Sequence, residues 1–235
     1  MSNVIAICGA KRSGKDVLAK YIIENYGFKK LSFAEPLKKA VKELFNFNDI
    51  QVGIDEENAL GNEKEIIDER WGISPRKALQ FFGTEIMQYS IDKLIPNTNR
   101  CFLADILLSH ISDDKNGTTN NYVISDLRFL HEYNKLKSSL KINSLIIVKI
   151  SRPSINITEG TEGTEGTEGT EGTEGTEGTE GTEGTEGTEG ICDIHISEKE
   201  YIDIPHDVEI VNDGTIRNLT DLFDIYYDTR RKLLL

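Results

Sequence analysis

The sequence has few cysteines, no long apolar segment and no excess of basic residues. Cys8, Cys101 and Cys192 stand far apart, with no CxxC pair and no metal-ligand spacing, so neither a disulfide framework nor a zinc site is expected. No segment approaches the roughly 20 apolar residues of a membrane span. We therefore expect a cytoplasmic protein (in the host cytoplasm if the chain is viral) with no membrane partner.

One low-complexity tract distorts the composition. Residues 158–190 are the tripeptide Thr-Glu-Gly repeated 11 times, and a tract without apolar side chains is expected to be disordered. Removing its 11 glutamates changes the formal net charge from −13 to −2, so the rest of the chain is nearly neutral and lacks the global basic surface of a nucleic-acid-binding protein. We expect 1–157 and 191–235 to form a single domain, with 158–190 as a disordered insertion.

Apolar runs of strand length alternate with helical patterns along the chain. This alternation predicts an α/β fold with a mostly parallel sheet and a ligand site at the carboxyl ends of the strands. The strands are expected over 3–8, 29–33, 122–126, 145–150 and 208–211. Helices are expected over 16–26, from Pro36, from Ser74 with an interruption near Gly83, and over 101–111, 129–140 and 216–235.

A glycine-rich motif lies between the first strand and the first helix. Residues 9–16 match G-x-x-x-x-G-K-[ST] at Gly9, Gly14 and Lys15, with Asp16 in the last place. Glycines let backbone N–H groups face a phosphate chain, the helix adds the positive end of its dipole, and the lysine supplies a mobile charge. A chance turn is the alternative, but the strand before it and the helix after it are the context that the motif requires.

Other charged residues also follow predicted strands. Asp126 and Arg128 end one strand, where the arginine can bind a phosphate with two hydrogen bonds; a solvated ion pair is the alternative. Arg152 follows the most apolar strand, where a lid is expected. His195 and His206 have no metal-ligand spacing and are interpreted as structural or surface residues.

Together these motifs resemble one family, the deoxynucleoside monophosphate kinases of large DNA phages and viruses. The phosphate loop is similar in its Lys-Arg pair before Ser-Gly-Lys and in its aspartate. The other similar segments are 71–85, Asp-x-Arg followed by His-Glu at 126–132, His-Ile-Ser-Glu at 195–198 and Asn-Asp-Gly at 212–214. The chain departs from the family at Val17, where a threonine is usual, so a hydroxyl for the metal shell is missing at two successive positions.

The resemblance implies a P-loop nucleoside monophosphate kinase-like parallel sheet flanked by helices, and it also implies a homodimer. It implies ATP and Mg²⁺ as cofactors and transfer of the γ-phosphoryl group to a deoxynucleoside 5′-monophosphate. The residues implied for ATP are Arg12, Gly14, Lys15 and Asp16, with Asp16 at the metal and with Lys15 and Arg128 catalytic. Those implied for the acceptor are Lys11, Lys38, Arg76, Gly83, Thr84, Phe102, Arg128 and Glu132.

Two other functions remain open from the residues alone. The chain could be another P-loop small-molecule kinase, although the segment 71–85 argues against it, or a non-catalytic nucleotide-binding switch. Formation of ADP that depends on an added deoxynucleotide separates the kinase from the switch.

Deleting residues 158–190 should leave the turnover number within a few-fold of the full chain. A flexible coil of that length spans about 30 Å, and the entropy of closing a loop grows slowly with its length. A coupled assay of ADP formation measures the effect. A large loss of activity would show that the tract has a functional role.

Overall fold

Five parallel strands form the central sheet of the fold. The computed structural model describes residues 2–55, 58, 62–111, 120–153 and 200–233. The Thr-Glu-Gly tract, Cys192 and the segment 195–198 lie outside the described residues. The strands run in the order β2-β3-β1-β4-β5 and comprise β1 (Ser2–Gly9), β2 (Lys29–Leu31), β3 (Asn121–Ile124), β4 (Ile142–Ser151) and β5 (Val208–Val211).

Helices connect the strands and cover both faces of the sheet. They are α1 (Lys15–Tyr26), α2 (Glu35–Phe45), α3 (Asp49–Val52), α4 (Pro75–Phe81), α5 (Phe102–His110), α6 (Leu130–Ser138) and α7 (Ile216–Leu233). A π-helical segment, Phe82–Ser90, continues α4, and 3₁₀ turns occupy Ile91–Lys93 and Glu200–Asp203. Within the described ranges, no helix combines the length and the apolar character needed to cross a membrane. The predicted α/β fold is confirmed.

The central strand β1 is apolar throughout because both of its faces are buried. Its alternate side chains enter two different cores: Val4 and Cys8 pack towards α5 and α6, and Ile5 and Ile7 pack towards α1 and α7. Burial raises the pKa of the Cys8 thiol to about 11, as expected for a structural cysteine.

The strand order reverses direction at β1, which has β3 on one side and β4 on the other. In open α/β sheets, ligands bind at the carboxyl ends of the strands beside such a reversal. The glycine-rich motif directly follows β1 and precedes α1. The topology therefore places this motif at the expected binding edge.

A third core cluster lies under α2, α3 and α4, outside the sheet. Val41 and Val52 are fully buried there, and these helices wall one side of the crevice beyond β2 and β3. The predicted interruption near Gly83 is a change of helix type, since the π-helical segment begins at Phe82. A Cβ on Gly83 would lie 2.9 Å from Cδ2 of Leu37, so this glycine permits close packing against α2.

Candidate active site

The phosphate loop depends on two glycines with positive φ angles. Gly9 has φ +146°, and a Cβ at this position would lie 2.3 Å from the carbonyl oxygen of Ile150 on β4. Gly14 has φ +110°, and a Cβ there would lie 2.8 Å from Nδ2 of Asn212. Both positions combine a backbone conformation that favours glycine with a lack of space for a side chain. The loop can therefore keep its shape only with glycine at both ends.

Asn212 holds the loop from the C-terminal side of the sheet. Its buried Nδ2 donates to the carbonyl oxygen of Ser13 at 2.8 Å, and its backbone N–H donates to the carbonyl oxygen of Ser151 at 2.7 Å. The Asn-Asp-Gly motif that follows β5 is thus part of the phosphate loop's support. Because the motif lies far from the loop in the sequence, this supporting role cannot be recognised from the sequence pattern.

Lys15 lies at the mouth of the loop as the first residue of α1. It is only 8% exposed, and its Nζ donates to the carbonyl oxygens of Gly9 and Ala10 at 2.9 and 2.5 Å. A buried ammonium held by backbone carbonyls beside a helix N-terminus forms a strongly positive site. The arrangement suits an anionic ligand.

Asp16 accepts a hydrogen bond from a hydroxyl group at the end of a neighbouring strand. Oγ of Ser125, the residue after β3, donates to Oδ1 of Asp16 at 2.7 Å. Positions 16 and 17 lack a hydroxyl group, and Ser125 therefore places one beside Asp16. Mg²⁺ is usually held by one or two carboxylates together with phosphate oxygens and water, and Asp16 fits that pattern. Among the described residues, no group of three or more histidine, cysteine and acidic side chains could bind a metal by itself.

Two cavities meet at the phosphate loop. The first, of about 290 Å³, lies between the loop and the segment after β5; its lining includes Gly14, Val17, Arg152 and Asn212. The second, of about 400 Å³, lies between the loop and the α2–α4 region. Arg12, Lys15 and Asp16 line both cavities.

Most of the acceptor residues implied by the resemblance line the second cavity. These are Lys11, Lys38, Arg76, Gly83, Thr84, Arg128 and Glu132. Phe102 is the exception, because the lining includes Leu103 in its place. Phe102 is the first residue of α5, and its role as an acceptor residue stays a prediction.

The second cavity is basic although the chain as a whole is acidic. Eight of its lining residues are lysine or arginine and three are aspartate or glutamate. One edge is neutralised by Glu65, which accepts from Nζ of Lys11 at 2.8 Å and also pairs with Nε of Arg76. The local excess of positive charge favours a ligand with a phosphate group.

Asp126 fixes the wall of this cavity. Its carboxylate accepts from Oγ of Ser32 at 2.7 Å and from the backbone N–H groups of Phe33 and Ala34 at 3.2 and 3.0 Å. These bonds tie the end of β3 to the loop between β2 and α2. These partners give Asp126 a structural role in the wall of the cavity that it also lines.

Comparison with known proteins agrees with this geometry. The family model for deoxynucleotide monophosphate kinase matches residues 3–58, which include all of β1 except Ser2 and the whole phosphate loop. A protein of Acanthamoeba polyphaga mimivirus, described as "Putative deoxynucleotide monophosphate kinase", is 36% identical over 154 residues, covering 65% of this chain and 75% of that protein. The chain belongs to the deoxynucleotide monophosphate kinase family. It is a phosphotransferase that phosphorylates a nucleotide, and the predicted family, fold and enzyme class are confirmed.

Glu132 is a buried acid in the second cavity of the kinase. Its Oε2 accepts from the backbone N–H groups of Arg128 and Phe129 at 3.0 and 3.1 Å, which caps the start of α6. Burial raises the pKa of Glu132 to about 8, although the two N–H donors act in the opposite direction. Glu132 thus supports the turn that carries Arg128.

Sequence patterns did not identify several residues of the kinase site. Ser125 precedes the Asp-x-Arg motif, and its role depends on a contact with Asp16, which is 109 positions away. Lys64 lies in a segment with weak patterning. Gln88 also lines the second cavity; its place one helical turn after Thr84 is a signal that could have found it.

The stability of the kinase should depend on pH through Glu132. Between about pH 4.5 and about pH 8 the folded chain keeps a proton that the unfolded chain releases, so this group lowers the free energy of unfolding as the pH rises. Glu132→Gln carries no titrating group. Relative to wild type, the variant should therefore gain stability between about pH 5 and about pH 8, as measured by urea denaturation.

Glu69→Gln is the matched control for this experiment, because Glu69 is exposed on the surface. Its stability should follow the wild-type pH profile. Parallel profiles for wild type and Glu132→Gln would contradict the account of Glu132.

Proposed function

We propose that the kinase transfers the γ-phosphoryl group of ATP to a deoxynucleoside 5′-monophosphate, giving the diphosphate. ATP would occupy the first cavity and the acceptor the second. One observation carries this proposal: the two cavities are separate but share Arg12, Lys15 and Asp16 of the phosphate loop. Transfer of a phosphoryl group from one nucleotide to another needs such an arrangement, because the donor and acceptor phosphates must lie next to each other.

On the ATP side, the phosphate chain would lie on the backbone N–H groups of the loop and the N-terminus of α1. Lys15 would attract the β- and γ-phosphates. Arg152 lies near the loop, with Nη1 3.5 Å from the carbonyl oxygen of Arg12, so it could approach the transferred group. Asp16 would hold Mg²⁺, which neutralises the charge that develops on the phosphate oxygens.

On the acceptor side, the basic lining of the second cavity would bind the monophosphate. Lys11, Lys38, Arg76 and Arg128 are the proposed contacts, and Gly83 and Thr84 lie on the helical wall. Arg76 is placed by its position in the first turn of α4, where Ser74 caps the helix by accepting from the backbone N–H of Lys77. A guanidinium suits a phosphate because it can donate two parallel hydrogen bonds.

Lys15 and Arg128 are the proposed catalytic residues. Phosphoryl transfer depends on positioning and charge stabilisation more than on a strong base. Both cations line the second cavity, Lys15 at the start of α1 and Arg128 in the segment between β3 and α6. Closure of the site over both nucleotides would exclude water and suppress hydrolysis of ATP.

The rest of the organisation is proposed on less direct grounds. The strands on either side of the Thr-Glu-Gly tract, β4 and β5, pair in parallel within one sheet, which supports a single domain that residues 158–190 interrupt. We also propose a homodimer, as the family resemblance implies, and a cytoplasmic location, for which the few, widely separated cysteines are the support.

Arg128→Ala should lower kcat/KM for the acceptor by about 100- to 1,000-fold, because one charge-stabilising group is lost from the transition state. The measurement is ADP formation from ATP with dGMP or dTMP added, in a coupled assay. Arg70→Ala serves as the control, since Arg70 lines neither cavity and instead contacts Asp68 and the carbonyl oxygen of Asn46.

The control should stay within a few-fold of wild type. Binding of ATP by wild type without any acceptor-dependent turnover would contradict the proposed function and favour a nucleotide-binding switch.

A further inference from the structure

The short segment that contains Asn62 and Glu65 connects the phosphate loop to α4 at one edge of the second cavity. Oδ1 of Asn62 accepts from Nη2 of Arg12 at 3.3 Å, and the carbonyl oxygen of Lys64 accepts from the backbone N–H of Arg76 at 2.8 Å. A turn closes the segment, because the backbone N–H of Glu65 donates to the carbonyl oxygen of Asn62 at 2.7 Å. The segment therefore has a defined shape and contacts both walls of the cavity.

Glu65 links the two walls through a single carboxylate oxygen. Its Oε1 accepts from Nζ of Lys11 in the phosphate loop at 2.8 Å and also from Nε of Arg76 in α4. Burial acts to raise the pKa of Glu65, but the hydrogen bonds and charges of Lys11 and Arg76 outweigh it and hold the pKa below its ordinary value. The side chain is therefore a carboxylate at neutral pH, and one anion holds two cations.

The two cations face the cavity and the anion does not. Lys11 and Arg76 belong to the lining of the second cavity, whereas Glu65 lies outside that lining. The bond to Glu65 uses Nε of Arg76 and leaves the four N–H groups on Nη1 and Nη2 for other acceptors. That end of a guanidinium can bind two phosphate oxygens by parallel hydrogen bonds. A phosphate in the cavity can therefore bind both cations without displacing Glu65.

A carboxylate in this place has two opposite effects on a bound phosphate. Lysine and arginine side chains lose rotamer freedom when they bind a ligand, and a pair that is already held in the free protein avoids part of this cost. The negative charge also repels the phosphate, but Glu65 is partly exposed, so solvent and salt screen the repulsion. We expect the positioning effect to be the larger of the two.

We propose that Glu65 is a positioning residue for the acceptor phosphate, which holds Lys11 of the phosphate loop and Arg76 of α4 in the arrangement that binds it. This inference rests on the proposed function, because it takes the second cavity as the acceptor site. Glu65 acts on the ligand only through these two cations, and it joins the loop at which phosphoryl transfer occurs to the helix that carries Arg76.

Two variants separate positioning from charge. Glu65→Gln removes the negative charge but keeps an oxygen that can accept from both cations, whereas Glu65→Ala removes the charge and the acceptor together. Isothermal titration of dGMP and dTMP without ATP measures binding, and the coupled assay with ATP measures KM and kcat. Glu69→Gln and Glu69→Ala are the matched controls, because Glu69 is an exposed acid of the same region that lines neither cavity.

The Kd and KM for the acceptor should be about 10-fold higher in Glu65→Ala than in Glu65→Gln, because only the alanine variant leaves both cations to be ordered by the ligand. Glu65→Gln should stay within about three-fold of wild type, since a partly exposed ion pair contributes little beyond its geometry. The two Glu69 variants should have equal values of Kd and KM.

A purely structural role for Glu65 would have different consequences. Lys11 and Arg76 line only the second cavity, so the KM for ATP should stay within about two-fold of wild type in both Glu65 variants, and kcat at saturating acceptor within a few-fold. A general disturbance of the fold would change the KM for ATP and the melting temperature together with the KM for the acceptor.

The dependence on Arg76 gives a second test. In an Arg76→Met background one of the two positioned cations is absent, so the ratio of acceptor Kd between Glu65→Ala and Glu65→Gln should be clearly smaller than in the wild-type background. An equal ratio in both backgrounds would show that Glu65 acts by another route and would overturn the inference.

Equal Kd values in folded Glu65→Ala and Glu65→Gln would also overturn it, as would tighter binding of the acceptor to Glu65→Ala than to wild type, which would show that Glu65 competes with the phosphate. If dGMP and dTMP bind with the expected ratio but neither supports ADP formation, the proposed function fails and the inference about Glu65 stands. Acceptor-dependent turnover without the expected ratio has the reverse meaning.

Discussion

The structure of the active site depends on the contacts that hold the phosphate loop against β4 and against Asn212, which follows β5. The buried amide of Asn212 donates to the carbonyl oxygen of Ser13, and Gly9 lies so close to β4 that a side chain could not fit. These contacts join the first strand to the last two. Because the loop forms one wall of each cavity, its position fixes where the two cavities meet, and every proposed contact to a nucleotide depends on it.

The parts of the site that are local in sequence could be predicted well. The apolar run of β1, the two loop glycines and the start of α1 follow one another directly, and each has its own backbone signal. Ser74 with Pro75 likewise indicated the start of α4, which delivers Arg76. The strand limits were predicted less well. The second strand was expected over 29–33, but β2 ends at Leu31, because the residues that follow it donate hydrogen bonds to Asp126.

The parts that depend on tertiary contacts could not be predicted in the same way. Ser125 supplies a hydroxyl to Asp16 only because β3 lies beside β1 in the sheet, and the sequence suggested instead that this hydroxyl was missing. The charge of the whole chain gave no indication of the basic second cavity, because its lysines and arginines come from separate loops and helices and from β2. Gln88 is a further example, because its Oε1 accepts a hydrogen bond from Arg100. Arg100 lies in the segment before α5, so local sequence patterns do not reveal this contact.

The central claim is that two nucleotides meet across one phosphate loop, and a bisubstrate ligand tests it most directly. Such a ligand joins adenosine to a deoxynucleoside through a chain of phosphates. Isothermal titration should show one ligand bound per chain, and addition of either ATP or a deoxynucleoside monophosphate should weaken its binding. Binding that competes with only one of the two nucleotides, or two ligands bound independently per chain, would contradict the shared loop.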